Sequence, residues 1–277
     1  MNSKFNFCTY EKTINHLSNK CLETASIYVF DDLDSTNNKL WQLIDSGVNI
    51  PSSVIALQQT SGKGQWGKVW QSKPGGLYLS VAVKCDLALS NYFHLIMATA
   101  EGITNLLQNY QIPVTIKWCN DLILNNRKLG GIKIETKAIN NIIKYAVIGV
   151  GINWNNKVPD IGINLTSYYA EYNNKKRNSN SVANIKSQQI NSLEQLTAIT
   201  TVGILEGYHN YSTLGINYTL KKYQQLLNNI GKQIVIDNYK GTIVGVTPQG
   251  KLKVRLQSPG AATEIYLSPG EISLGYN

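Results

Sequence analysis

SGKGQWGKVW, residues 61–70, is the stretch on which the fold turns. Gly62, Gly64 and Gly67 spell G-x-G-x-x-G, Gly62 with Gly67 and Lys68 spells most of a Walker A loop, and Val69 completes a kinase-like glycine loop. Each motif carries its chemistry only in its own structural setting. A P-loop places Ser or Thr after its lysine, to put a hydroxyl on magnesium, and opens a helix on the phosphates. Position 69 is Val, and QSKPGG follows, where Pro74 and two glycines stop a helix. The same break removes a Rossmann site, whose helix begins inside the glycine motif. A kinase fits better locally, because VAVK ends at Lys84 and Glu101 sits on the next predicted helix. It also needs an H-R-D base and a D-F-G metal ligand. His16, His94 and His209 are followed by Leu, Leu and Asn, and no Asp precedes Phe-Gly. What remains is a glycine-rich, lysine-bearing loop between two strands, suited to wrapping an anion with backbone N–H groups.

Working outward, SVIALQQ from Ser53 leads into the loop as a strand and LYLSVAV (77–83) leaves it as another. Upstream, weak periodicity suggests a short lead-in helix, IYVF (27–30) a strand, and Ser35 the cap of a helix ending at Gly47. Phe93, Ile96, Met97, Ala100, Ile103, Leu106 and Leu107 give helical spacing across residues 91–110. VTIKW, DLIL, LGGIKIE and YAVIGVGINW read as successive strands, with an NNRK turn between two of them. Residues 172–189 are polar and biased and predict an exposed, mobile loop. Helices follow over roughly 192–211 and 218–229. From Gly231, short β-rich runs between DNYKG, TPQG and SPG turns predict a small barrel of about 45 residues, too small for much of a core alone and docked on the main domain. The expected domains are therefore 1–230 and 231–277.

A chain of 277 residues, 43% hydrophobic and 16% charged, has ordinary globular composition. No run of eighteen apolar residues suggests a membrane span, and MNSKFNFCTY lacks the form of a secretory signal. Cys8, Cys21, Cys85 and Cys119 make no C-x-x-C pair, which argues against a disulfide framework or structural zinc and for reduced thiols in cytoplasm or an organelle stroma. The net charge of +9 invites nucleic acid, but the lysines are dispersed and the one tight cluster, 175–177, lies in the biased stretch. No DNA and no membrane partner is expected.

Four stretches resemble the biotin protein ligase family, from about Ile27 onward: LDSTN (33–37), QTSGKGQWGKVW (59–70), IKWCNDLILNNRKLGGIKIE (116–135) and VIGVGIN (147–153). Each is weak alone; together, in family order and spacing, they are specific. SPGEISLG (268–275) resembles the end of that family's small C-terminal domain. The resemblance implies an α+β fold: a mixed β-sheet catalytic domain flanked by helices, related to class II synthetases and biotin/lipoate ligases, followed by an SH3-like β-barrel. It implies a biotin–[biotin carboxyl carrier protein] ligase using ATP, biotin and Mg2+. Biotin and ATP give biotinyl-adenylate and pyrophosphate, and the adenylate then acylates one lysine of a carrier protein of acetyl-CoA carboxylase. The segment ahead of Ile27 is shorter than the DNA-binding helix-turn-helix of some family members, so a monofunctional ligase is expected, possible as a homodimer.

By the same resemblance, Lys117 is the catalytic lysine, contacting the biotin carboxyl and the α-phosphate. Two anionic reactants need such a cation between them. Ser35, Thr36, Asn37 and Gln59 hold the biotin head, where Ser35 and Thr36 alone read as a helix cap. Gly62, Lys63, Gly131 and Gly149 complete that set. The adenylate side takes Lys63, Gly64, Gln65, Trp66, Gly67, Lys68, Trp70, Asn120, Lys128 and Asn153. Asn120 and Asp121 are scaffolding or part of the metal and phosphate environment, with no certain metal ligand. The loop is expected to act as a lid over the intermediate. Two departures stand out. Lys63, Gln65 and Lys68 replace the arginines of G-R-G-R-x-G-R, losing the bidentate fork and, at Gln65, the charge. Cys119 replaces the proline of K-W-P-N-D, as a reactive thiol or a buried bystander. Rival readings are a lipoate or octanoyl ligase of the same superfamily and, from another class, a basic nucleic-acid-binding protein using the small barrel.

Overall fold

The computed structural model describes residues 5–17, 23–178, 189–257, 263–272 and 274–276. A seven-stranded sheet forms from β1 (Ser26–Leu33), β2 (Ser52–Gln59), β3 (Leu77–Ala88), β4 (Thr115–Lys117), β5 (Asp121–Leu124), β6 (Arg127–Ile139) and β7 (Ile142–Ile152), in the order β1-β2-β3-β7-β6-β5-β4. Only β1 and β2 run parallel; the other neighbours are antiparallel. The parallel pair needs a crossover, which α2 (Thr36–Asp45) supplies.

Strand alternation explains how this sheet serves two purposes. Leu77, Leu79, Val81 and Val83 of β3 and Ala146, Ile148, Val150 and Ile152 of β7 belong to one large buried cluster. That cluster includes Tyr10 and Ile14 of α1 (Phe7–Leu17), Ile96 and Ile103 of α3 (Tyr92–Asn109), and Ile199 and Val202 of α5 (Leu193–Leu226). The intervening residues, Tyr78, Ser80 and Ala82 on β3 and Val147, Gly149 and Gly151 on β7, face the other way. There Leu40 of α2 packs on Val54, Ala82 and Val147. One sheet face is core and the opposite one carries α2 and leaves room for a site.

The two helices expected around 192–211 and 218–229 are present within α5, which breaks between them at Gly215, where φ is 79° and ψ 177°. Its start is secured by Ser192, whose Oγ accepts the Gln195 N–H, while Gln195 Oε1 accepts the N–H of Asn191. The polar stretch expected as loop from Tyr172 is helical as far as Asn178, within α4 (Leu165–Asn178); the rest of that expectation, 179–188, lies outside the described residues. The expected NNRK turn falls on its first two residues: Asn125 and Asn126, both at positive φ, make the β5–β6 hairpin, and β6 begins at Arg127.

A second, four-stranded antiparallel sheet follows, β8 (Gln233–Ile236), β9 (Tyr239–Val246), β10 (Leu252–Leu256) and β11 (Glu264–Leu267), in the order β11-β10-β9-β8. Ile243, Val246, Leu252 and Val254 join the large buried cluster, as so small a sheet requires. Trp118 ties the two sheets: its Nε1 donates to Gly250 O at 3.0 Å and its backbone N–H to Asn229 Oδ1 at 2.8 Å. This docking brings the segment after β11 over the open face of the main sheet.

Candidate active site

The first turn of α2 lies over Ser80, whose Oγ is 2.7 Å from Thr36 Oγ1 and 2.6 Å from Asn37 Oδ1. Ser35 occupies the N-cap position with extended backbone, yet its hydroxyl makes no capping bond, contrary to the sequence reading. Gln59, at the end of β2, takes that role. Its Oε1 accepts the Thr36 N–H at 2.8 Å and the Thr36 hydroxyl at 3.2 Å, while its Nε2 donates to Ser72 Oγ at 2.7 Å. A glutamine fixed at both ends frees Ser35 to line a small cavity of about 60 Å³ with Thr36, Asn37, Gln59, Gly131 and Gly149.

Two buried donor nitrogens in this region lack a partner among the described residues: Asn37 Nδ2 and Trp70 Nε1. A buried donor left unpaired costs about 1–3 kcal/mol, so Asn37 is a ready partner for a ligand acceptor. The glycines of β7 make this packing possible. A Cβ on Gly149 would stand 2.5 Å from Asn37 Oδ1 and 3.2 Å from Lys133 O, and one on Gly151 would collide with the Trp70 indole. Gly131 differs: a Cβ there would meet nothing closer than 3.6 Å, so its bareness keeps cavity space open. Gly149→Ala is therefore expected to push Asn37 aside and weaken ligand binding in the small cavity by about 10- to 100-fold. Titration calorimetry with the acid substrate proposed below checks this; unchanged affinity would show that Asn37 can yield.

The 61–70 loop is a hairpin. Trp70 N–H donates to Gly62 O at 2.9 Å, Gly64 N–H to Lys68 O at 2.6 Å, and Lys63 bridges Val69. Trp66 (φ 56°) and Gly67 (φ 72°) turn the chain in the left-handed region. The next element after the loop is a strand, β3, so no helix opens on it, in accord with Val69 and Pro74. Gly62 and Gly67 line neither cavity. Gly62 packs on Ser72 Oγ and Trp70 O, which a side chain would strike, and Gly67 serves the turn. Lys63 Nζ donates to Asn38 Oδ1 at 2.6 Å, and Gln65 Nε2 to Ile132 O at 3.3 Å.

Gly64, Gln65, Trp70, Asn120 and Lys128 line both the small cavity and an adjoining one of about 700 Å³. Lys68, Lys117, Lys128 and Lys157 line this larger space, with Asp121 as the one carboxylate among its described lining residues. Trp66 and Asn153 line it too. Asn120 Nδ2 donates to Ile132 O at 2.8 Å, and Asn153 is held by its N–H on Leu129 O at 2.8 Å. Lys128 pairs with Asp121 at 2.7 Å. Lys117 ends β4, is only 8% exposed and makes no salt bridge among the described residues. Burial lowers its pKa from the ordinary lysine range; Asp121 opposes this, and Lys128, Lys68 and Lys232 add to it. Four lysines around one carboxylate make a cavity for an anion of several charges. Burial pushes the Cys119 thiol up to about 12, which makes it a bystander rather than a nucleophile. The peptide bond before Cys119 is cis.

Sequence reasoning missed Ser80, Ser72, Asn156, Lys157 and the lining segment Pro269, Gly270, Ile272, Leu274, Gly275 and Tyr276. A polar Ser80 inside LYLSVAV and the SPGEISLG stretch were readable signals; no local pattern marks Ser72, Asn156, Lys157 or Tyr276.

Residues 29–153 match the profile of the Biotin/lipoate A/B protein ligase family. The bifunctional ligase/repressor BirA of Bacillus subtilis (strain 168) is 30% identical over 132 residues, 47% of this chain and 41% of its own length. The biotin–protein ligase of Homo sapiens is 28% identical over 221 residues, 76% of this chain and 29% of its own length. The chain thus spans about two fifths or less of the length of these relatives. Among solved structures, the biotin protein ligase from Aquifex aeolicus in complex with biotin and ATP superposes with a TM-score of 0.60 at 21% identity, covering 90% of this chain and 98% of that one. The mixed seven-stranded sheet with a small antiparallel sheet after it is therefore the fold of the biotin ligases. Residues 29–153, which match that family profile, include β2, β3 and three of the four lysines of the larger cavity, Lys68, Lys117 and Lys128.

Proposed function

We propose that this protein activates biotin with ATP as biotinyl-5'-AMP and transfers it to a lysine of a biotin carboxyl carrier protein. One observation carries the reading: a small, hydrogen-bonding cavity holding the unpaired Asn37 Nδ2 opens onto a larger one ringed by four lysines. A ureido head offers a carbonyl to Asn37 and N–H groups to the hydroxyl and amide oxygens beside it. The dithiolane of lipoate offers neither and would leave the donor unpaired, so biotin is favoured over lipoate.

In this reading the valerate chain runs past Gly131 toward Lys117, where its carboxylate meets the α-phosphate of ATP in the larger cavity. Lys117 and Lys128 neutralise charge as the carboxylate attacks, and Lys68 follows the phosphates. Trp70, beside Gly151, forms a wall for the adenine, and Asn153 a polar contact. Magnesium carried by ATP would be held through one or two carboxylates plus substrate phosphates, and Asp121, the one carboxylate among the described lining residues, with Asn120 would be the residues to meet it. The acyl-adenylate then offers a good leaving group to the carrier lysine, which attacks as the neutral amine. The acetyl-CoA carboxylase carrier is the proposed acceptor.

Lys117 must be an ammonium to do this, and its pKa is lowered. The alkaline limb of kcat/KM for adenylation is thus expected below the ordinary lysine range, moving upward in Lys117→Arg, whose guanidinium stays charged. A limb that does not respond to that substitution would assign the titration elsewhere. Transfer is tested with a purified biotin carboxyl carrier domain, by intact mass. One biotinyl addition, lost when the acceptor's target lysine is replaced, is expected; addition of lipoyl instead, or of nothing, overturns the reading.

A further inference from the structure

Tyr276 belongs to no pattern in the sequence, yet it touches the site at two points. Its ring centroid is 3.6 Å from Lys117 Nζ, and its hydroxyl donates to Asp121 Oδ2 at 2.8 Å. The other oxygen of Asp121 holds Lys128 Nζ at 2.7 Å, and that ammonium lies 5.4 Å from the Trp70 ring. A continuous ladder thus runs from Lys117 through Tyr276, Asp121 and Lys128 to Trp70.

The segment carrying Tyr276 is itself anchored. Ser268 N–H donates to Glu271 Oε2 at 2.7 Å, Glu271 N–H returns to Ser268 O at 3.1 Å, and Pro269 bridges Ile272. Gly270 lies against the Trp66 indole, which joins this segment to the glycine loop. With Tyr276 in place the cavity still measures about 700 Å³, so the ring is a wall and not a plug.

Lys117 needs such a wall. It is buried, has no salt bridge among the described residues and stands near other lysines. A free ammonium on four rotatable bonds has no fixed position there. A ring face attracts and orients it without taking the hydrogens an anion needs, where a carboxylate would neutralise it. We propose that Tyr276 is a positioning residue for Lys117: its ring holds the ammonium at the wall of the larger cavity, and its hydroxyl fixes Asp121 so that Lys128 stays in register. The inference rests on the biotin-activation reading above.

Two variants separate ring from bulk. Tyr276→Phe keeps the ring and is expected to retain adenylation within about threefold. Tyr276→Leu keeps apolar bulk without a π face, and is expected to lower kcat for biotin-dependent pyrophosphate release roughly tenfold, with little change in KM for ATP. In a Lys117→Ala background Tyr276→Leu should have no larger effect than Tyr276→Phe, because the ring, unlike the hydroxyl, acts only through that lysine. A Leu variant as fast as or faster than the parent, or effects that simply multiply, would overturn the proposal. A second readout is independent of turnover: acetic anhydride labelling of Lys117, followed by peptide mass spectrometry. Lys117 should label several-fold faster in the Leu variant than in the parent or Phe variant; equal rates in all three overturn the contact. If labelling follows this order but the parent releases no pyrophosphate with biotin, the positioning stands and the biotin reading alone falls.

Discussion

Lys117→Ala is expected to reduce biotin-dependent pyrophosphate release by about 10²- to 10³-fold, the usual effect of removing one preorganised charge from a developing anionic site. The side chain is a buried cation lining the larger cavity, and among the described residues it makes no salt bridge and stands against the Tyr276 ring. Its removal relieves the burial of an ammonium near Lys68, Lys128 and Lys232. Stability should therefore change by no more than about 1 kcal/mol, in contrast to most buried substitutions. Thermal unfolding separates the two effects. A variant that loses activity by unfolding, or one that turns over normally, would remove Lys117 from the role.

Asn37→Ala carries the second large effect, and its two parts have opposite signs. Without ligand, Asn37 Nδ2 is buried and unpaired, so deleting the amide removes a penalty of about 1–3 kcal/mol. Ser80 loses Asn37 Oδ1 as an acceptor but keeps Thr36 Oγ1 at 2.7 Å. The ligand-free variant should be as stable as the parent or more so. Its KM for biotin should rise roughly tenfold or more with kcat little changed, because this contact serves ground and transition states alike. Correspondingly, the thermal shift that biotin produces in the parent should largely vanish. A fall in stability with unaltered KM would mean that Asn37 only supports the fold.

The sequence made the framework legible because alternation and helical period are local. LYLSVAV and YAVIGVGINW announce strands, and Phe93 to Leu107 announces α3, from residues within a few positions of each other. The same alternation, read one residue over, exposes Ser80, Gly149 and Gly151 on the working face. Other features escaped for stated reasons. The end of α4 has no apolar stripe to read: its packing against the core uses Tyr168, Tyr169 and Tyr172 in a run otherwise rich in Asn and Lys. Ser35 looks like a cap, but Gln59, from another strand, satisfies the Thr36 N–H instead. Gly62 and Gly67 fit the motif as ligand contacts, while the structure uses them for packing and turning. Tyr276 meets Asp121 across 155 positions, a proximity that depends on how the second sheet docks through Trp118. Local patterns carry no record of such a contact.

Pyrophosphate release, measured with ATP and magnesium and with biotin, lipoate or no acid, tests the central claim most directly. Release that depends on biotin and stays near background with lipoate is the predicted result. Release with lipoate in preference to biotin, or with neither, would contradict the assignment of the Asn37 cavity to a ureido head and of the lysine-lined cavity to its activation.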